Sequence, residues 1–167
     1  ASSERILNII DTDQIIENPA KPKPIDTKAG PPAIRFDDVS FSYDGRTEVL
    51  KHVDFEVKPG ETLAIVGATG AGKTSIINVL SRFYDVQEGG ISIGGADIRE
   101  RDKFELRRAV GVVLQDVFLF ADTIRENLRL GDESIDDARL MEACRTVFAD
   151  RLIERVEGGL DHEVAER

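Results

Sequence analysis

The chain has 167 residues, 41% of them hydrophobic, with 22 Lys and Arg against 32 Asp and Glu, a formal charge of −10. That length suits one domain with an extension, and the apolar share is enough for a core. The acidic balance offers no basic stripe of the kind that neutralises a phosphate backbone, so DNA and RNA are not expected partners.

Residues 1–11 place Ile6, Leu7, Ile9 and Ile10 behind two serines and read as a short or terminal piece of helix. Residues 18–32 hold five of the six prolines and no periodic apolar face. That is linker composition, favouring extended backbone, and it sets an expected boundary between residues 1–33 and residues 34–167. Ile34 to Tyr43 alternates with two-residue spacing on either side of Asp37-Asp38 and predicts a half-exposed strand with a bulge there. Asp44-Gly45 is a hairpin turn signal, and Val49 to Val57 alternates again until Pro59-Gly60. Two antiparallel strands are therefore expected ahead of a parallel α/β core.

Leu63 to Val66 is a short apolar run, expected as a buried strand, and Ser75 to Phe83 carries Ile76, Leu80 and Phe83 at helical spacing. Between them Gly67-Ala68-Thr69-Gly70-Ala71-Gly72-Lys73-Thr74 fits the pattern G-x-x-x-x-G-K-[ST] without a mismatch. Strand, glycine-rich turn and helix are the context in which this string is a phosphate cradle. Gly67 and Gly72 lack a Cβ and are expected to take positive φ values that turn successive N–H groups into one concavity. The next helix begins there, where unpaired donors and the dipole favour negative charge. Lys73 is expected at the β- and γ-phosphates and the Thr74 hydroxyl on magnesium. The implied ligand is a nucleoside triphosphate with Mg2+, held by residues 67–75 with Ser75 closing the set.

Ile91 and Ile93 predict a further short strand, residues 104–108 a helical turn, and residues 109–114 a buried strand ending at Gln115. Residues 123–128 and 136–148 are expected as helices, the second with Leu140, Ala143 and Val147 beside Met141, Cys144 and Phe148 on a broad apolar face. Cys144, the only cysteine, reads as packing in that helix, and it excludes an internal disulfide. Residues 157–167 are polar and carry no element of their own in this reading. No apolar run approaches the ~20 residues of a membrane-spanning helix.

Four stretches together resemble one family. Residues 34–43 are similar to the opening strand of an ATP-binding cassette domain, and GATGAGKT to that family's phosphate loop. Ser81-Arg82-Phe83-Tyr84-Asp85 with Gly90 to Gly95 matches the stretch after its first helix. Residues 113–120, with Thr123 to Leu128, are similar to the glutamine-loop region of the exporter branch. The start of the chain also resembles the end of the last transmembrane helix and the linker of such exporters.

The resemblance implies an α/β phosphate-loop NTPase core, with a partial parallel sheet, an antiparallel β element and the start of a helical subdomain. It implies ATP as ligand, Tyr43 as the aromatic that stacks on adenine, and Lys73 and Gln115 as catalytic groups. Thr74 and Gln115 would be the magnesium contacts. Phe83, Tyr84 and the residues after Gln115 would meet the coupling helices of a transmembrane domain, and Glu163 to Arg167 would sense a second, head-to-tail nucleotide-binding domain. The implied location is the cytoplasmic face of a cell membrane.

The family's LSGGQ-type signature, its apolar strand ending in Asp-Glu and its switch histidine do not occur within the 167 residues; His52 and His162 lie in the wrong places to stand in. The resemblance therefore implies ATP-binding machinery without complete catalytic machinery in this stretch, and a signature motif in the residues that would follow Arg167. A GTPase would need an N-K-x-D stretch, which is absent. A nucleoside kinase would leave the other three matching stretches unexplained.

Overall fold

The structure is a computed structural model that describes residues 16–26, 30–115 and 118–165. The expected helix at residues 1–11 and the last two residues of the 163–167 stretch lie outside them. The chain divides into two compact units, Ala1–Val112 and Val113–Arg167.

The first unit is built on a four-stranded sheet ordered β2-β1-β3-β4, antiparallel throughout. Its strands are β1 (Ile34–Ser42), β2 (Glu48–Val57), β3 (Glu88–Ile93) and β4 (Ala96–Asp97). The alternation read from the sequence sets the faces: Phe36, Val39 and Phe41 are buried while Arg35, Asp37 and Asp38 are exposed. Phe36 pairs directly with Phe55 across the β1–β2 ladder, and the rings stack at 4.5 Å, a cross-strand pair of the kind that pins register. The expected bulge is present, with the register slipping between Phe36 and Val39. At the slip Asp38 takes a φ of 48°. Gly89 of β3 passes so close that a Cβ there would lie 2.3 Å from the Asp38 carbonyl oxygen.

Helix α1 (Lys73–Leu80) turns Ile76, Val79 and Leu80 into the core, each contributing about 1.5–3 kcal/mol of burial. Helix α2 (Lys103–Ala109) follows a single 3-10 turn at Ile98–Glu100 and buries Leu106. Its N-terminus is capped by Asp102, whose carboxylate accepts from the amides of Phe104 and Glu105 at 2.9 Å each.

The proline-rich segment from residue 16 to 26 forms no helix or strand, and it is fastened along this unit. The Arg101 guanidinium, 4% exposed, donates to the carbonyls of Lys23, Pro24 and Ile93. Arg82, equally buried, bonds the Glu17 carbonyl at 3.2 Å, the Arg101 carbonyl, and the Asp85 carboxylate at 2.9 Å. Lys103 Nζ reaches the Ile16 carbonyl at 2.8 Å, and the Asn18 side chain accepts from the Lys103 amide at the same distance. In the other direction the Lys23 amide donates to the Glu100 carbonyl and the Ile25 amide to Glu105 Oε1. Ile25 is buried with the core.

The second unit contains a two-stranded antiparallel ladder, β5 (Asp122–Thr123) with β6 (Glu163–Val164). It also holds helices α3 (Ile124–Arg129), α4 (Asp137–Thr146) and α5 (Asp150–Arg155). Thr123 caps α3 and Asp136 caps α4. Leu140, Cys144 and Ile153 are its buried apolar residues. Arg125 joins its parts: the guanidinium forks onto Asp137 at 2.8 and 3.0 Å and also meets Asp161. That pairing holds both carboxyls below the usual aspartate range.

Three expectations are corrected. Residues 63–66 and 110–114, expected as buried parallel strands, enter no ladder among the described residues; Val66 is 89% and Val113 97% exposed. The apolar run is real, but a parallel strand is made by its hydrogen-bonded neighbours, and none is paired to either stretch here. The run expected to start at Ala109 also loses that residue to α2, which reaches it. The C-terminal stretch is not without structure: a 3-10 turn at Gly159–Asp161 leads into β6. The α/β phosphate-loop architecture stands, with the antiparallel sheet and helices as its described parts.

Candidate nucleotide site

The glycine-rich loop leaves residue 66 and ends on α1. Gly72 is the N-cap of that helix at φ 84°. A Cβ there would meet the Val49 carbonyl oxygen at 2.9 Å and the Leu50 side chain at 3.0 Å. Glycine is therefore required twice, for the left-handed backbone and for the close approach of the loop to β2. The second positive φ belongs to Gly70, at 83°, and not to Gly67 as expected. Gly67 serves by closeness, since a Cβ on it would sit 3.3 Å from that of Ala71.

Residues 67–71 and Thr74 are exposed, and the first turn of α1 carries no acidic residue. An anion approaching the helix start thus meets the dipole and the loop amides without a carboxylate from that turn opposing it. Lys73 folds back over the loop, its Nζ donating to the carbonyls of Gly67 at 2.7 Å and Ala68 at 2.8 Å. This holds the ammonium on the carbonyls of the glycine-rich loop itself.

Tyr43 lies beside this loop. Its phenol oxygen is 3.0 Å from Ser75 Oγ and accepts from Asn78 Nδ2 at 3.1 Å. The ring makes edge-on contacts with Phe41 at 4.8 Å and Tyr84 at 5.0 Å, and remains 48% exposed. The turn that follows it is ordered by Asp44, whose Oδ1 accepts from the amides of Arg46 and Thr47, each at 2.8 Å, and from the Ser42 hydroxyl. Those bonds, the Thr47 amide foremost, draw the Asp44 carboxyl down to about 2. The structure thus joins Tyr43, Ser75 and the loop in one place, and adds Asn78, which the sequence reading missed. An asparagine three residues after Ser75 on the same helix face was the available signal.

Gln115 lies in the second unit, exposed and outside any strand. Asp116 and Val117 fall outside the described residues; beyond them Phe118, Leu119 and Phe120 are exposed. Phe83 and Tyr84 are exposed at the end of α1, with the Arg107 guanidinium 4.7 Å from the Phe83 ring centre. His52 is exposed and paired with Asp38 at 2.9 Å, which raises the imidazole above its usual value. His162 bonds the Glu157 carbonyl. Among the described residues no helix is long and apolar enough to cross a membrane.

Comparison with known proteins gives this geometry a family. The profile of the ABC transporter family matches residues 50–164. The Bacillus subtilis ABC transporter ATP-binding protein YknV is 41% identical over 167 residues, all of this chain and 27% of YknV. The ATP-dependent lipid A-core flippase of Desulfotalea psychrophila is 40% identical over 168 residues, 99% of this chain and 28% of the flippase. The solved structure of a bacterial Atm1-family ABC exporter with ATP bound superimposes with a TM-score of 0.86 at 37% identity, covering 99% of this chain and 29% of that one. The chain thus spans about a quarter of the length of the relatives it matches. With a phosphate loop seated on α1, and a profile match over most of its length, the chain belongs to the ABC transporter family.

Proposed function

We propose that this chain is the ATP-binding portion of an ABC exporter, in which binding and hydrolysis of ATP drive transport through a membrane domain. The observation that carries the reading is the loop of residues 67–74 seated on α1, with an anchored, half-exposed tyrosine beside it. A triphosphate suits what is there: an exposed glycine-rich loop, an ammonium held on two of its carbonyls, and a helix start free of acid. A divalent cation suits it less as a separate site, since no cluster of His, Cys, Asp or Glu among the described residues could cage one. Magnesium would therefore arrive with the nucleotide and be completed by the Thr74 hydroxyl.

The roles follow from the atoms. Lys73 gives up the Gly67 and Ala68 carbonyls for the phosphate oxygens, the loop amides donate to the remaining phosphate oxygens, and the Tyr43 face carries the adenine. Phe83, Tyr84 and the exposed aromatics after Gln115 are the surface for a transmembrane domain at the cytoplasmic membrane face. A second nucleotide-binding domain would complete the site head to tail.

Residues 1–33 are read as the end of a transmembrane helix with its linker, and residues 34–167 as the first part of the nucleotide-binding domain. No Asp-Glu strand, signature or switch histidine is encoded in the 167 residues. By themselves they should bind ATP without turning it over. Steady-state phosphate release from the purified 167-residue chain tests this; sustained turnover abolished by Lys73→Ala would overturn the division of labour.

A further inference from the structure

Asn78 has no role in the site described so far and Ser75 only closes the loop's set, yet both side chains bond one atom. Ser75 and Asn78 stand three residues apart on α1, on one face of the helix. Together they hold the Tyr43 phenol oxygen at 3.0 and 3.1 Å. Phe41 and Tyr84 hold the same ring by its flanks at 4.8 and 5.0 Å. Ser75 is 5% exposed, whereas the Tyr43 ring is 48% exposed. The polar end of the tyrosine is therefore tied to the helix, beside the buried Ser75 and the half-buried Asn78, while part of its ring stays open to solvent.

A ring that served only as core packing would not need its hydroxyl tied twice, and one that served only as a stacking surface could be a phenylalanine. The two bonds do something else. They fasten the aromatic platform to the helix that carries Lys73, five residues before Asn78 and on the same rigid element.

We propose that Asn78, with Ser75, is the positioning residue of this site: it pre-sets the Tyr43 ring relative to the phosphate loop, so that one bound molecule meets the base platform and the phosphate cradle at a fixed spacing. The proposal rests on reading the site as one for ATP, and it extends that reading to how base and phosphate recognition are joined. A ring held in place before binding loses no rotamer freedom on binding. Immobilising such a side chain normally weakens affinity by a factor of about three to ten, which sets the expected effect.

The test compares Mg-ATP with Mg-tripolyphosphate, which has the phosphates and no base, by calorimetry on the 167-residue chain. Asn78→Leu keeps the volume and removes the donor; Tyr43→Phe keeps the ring and removes the acceptor, a change of one oxygen that leaves the packing in place. Each is expected to weaken ATP by about three- to tenfold and to leave tripolyphosphate unchanged. The double variant is expected to lose no more than Tyr43→Phe alone, which already removes both bonds, whereas Asn78→Leu leaves the Ser75 bond in place. Asn78→Gln, which can still reach the phenol with a longer arm, should recover part of the loss.

Equal weakening of ATP and tripolyphosphate would show that Asn78 only supports the helix, and would overturn the proposal. So would an unchanged preference for ATP, or losses that add. If the unaltered chain bound tripolyphosphate as tightly as ATP, the adenine reading itself would fall. Loss confined to the variants separates the two cases.

Discussion

Replacing Arg101 by methionine is the most informative structural perturbation, because one buried guanidinium holds three carbonyls from two distant parts of the chain. Two of these, Lys23 and Pro24, belong to the proline-rich strap, and the third, Ile93, ends β3. Methionine fills the aliphatic stem's space and removes the cost of burying a charge, which by itself favours the variant. Against this stand the carbonyls. The strap pair regains water once the strap lifts, but the Ile93 oxygen sits beside a buried side chain and stays dry, at a cost of about 1–3 kcal/mol. The net expectation is a loss of about 1–2 kcal/mol in the first unit, the lower part of that range because the removed charge offsets some of it, and a fall of roughly 0.3–2 M in the urea midpoint. Local release of the strap should accompany it. Amide hydrogen exchange reads both at once: the amides of Lys23 and Ile25, bonded to Glu100 and Glu105, should exchange at least about tenfold faster, in line with a 1.4 kcal/mol change, while β1 amides follow global stability. Arg101→Lys should rescue at most in part, since the three donors of an ammonium all sit on one nitrogen and lack the reach of the guanidinium's separate NH groups. An unchanged midpoint with unchanged exchange at Lys23 and Ile25 would refute the strap.

Two further outcomes follow from the β element beside the site. Gly89→Ala adds a Cβ 2.3 Å from one carbonyl oxygen and 2.4 Å from another at φ 75°; left-handed strain and overpacking together should cost roughly 2–5 kcal/mol, and a melting temperature lowered by less than about 4 °C would contradict it. The Asp44 carboxyl is depressed from 3.8 to about 2, so its contribution to the turn after Tyr43 is complete above pH 3.8 and is lost as pH falls through 2. An NMR titration should place its midpoint near 2 and show the Arg46 and Thr47 amides still bonded at pH 3; a midpoint at the ordinary value would remove the turn's claim to hold Tyr43.

What the sequence revealed and what it hid divide along the range of the interactions involved. The β1 strand, its bulge at Asp37-Asp38 and the turn at Asp44-Gly45 are local patterns, written in neighbouring residues, and each is where it was expected; the helix expected over residues 75–83 is present but runs from Lys73 to Leu80 and leaves Phe83 outside it. The strap was legible only as linker composition. Its partners are backbone carbonyls, which every residue carries, so no side-chain pattern in residues 16–26 announces that Arg82, Arg101 and Lys103 will hold them. Tyr43 was legible as an aromatic by a turn, but its tie to the helix depends on Asn78, 35 residues away in sequence. The runs at 63–66 and 110–114 misled for the complementary reason. Apolar composition marks a stretch that would be buried in a sheet, whereas a ladder needs a neighbour the run itself does not encode.

The central claim is that residues 67–75 with Tyr43 form an ATP site, and equilibrium titration of the 167-residue chain with Mg-ATP, beside its Lys73→Ala variant, tests it most directly. Saturable one-to-one binding is expected, stronger than that of tripolyphosphate and weakened at least about tenfold by the loss of Lys73, as for a charge-assisted phosphate contact worth 1.5–3 kcal/mol. No saturable binding, or binding indifferent to Lys73, would contradict the account.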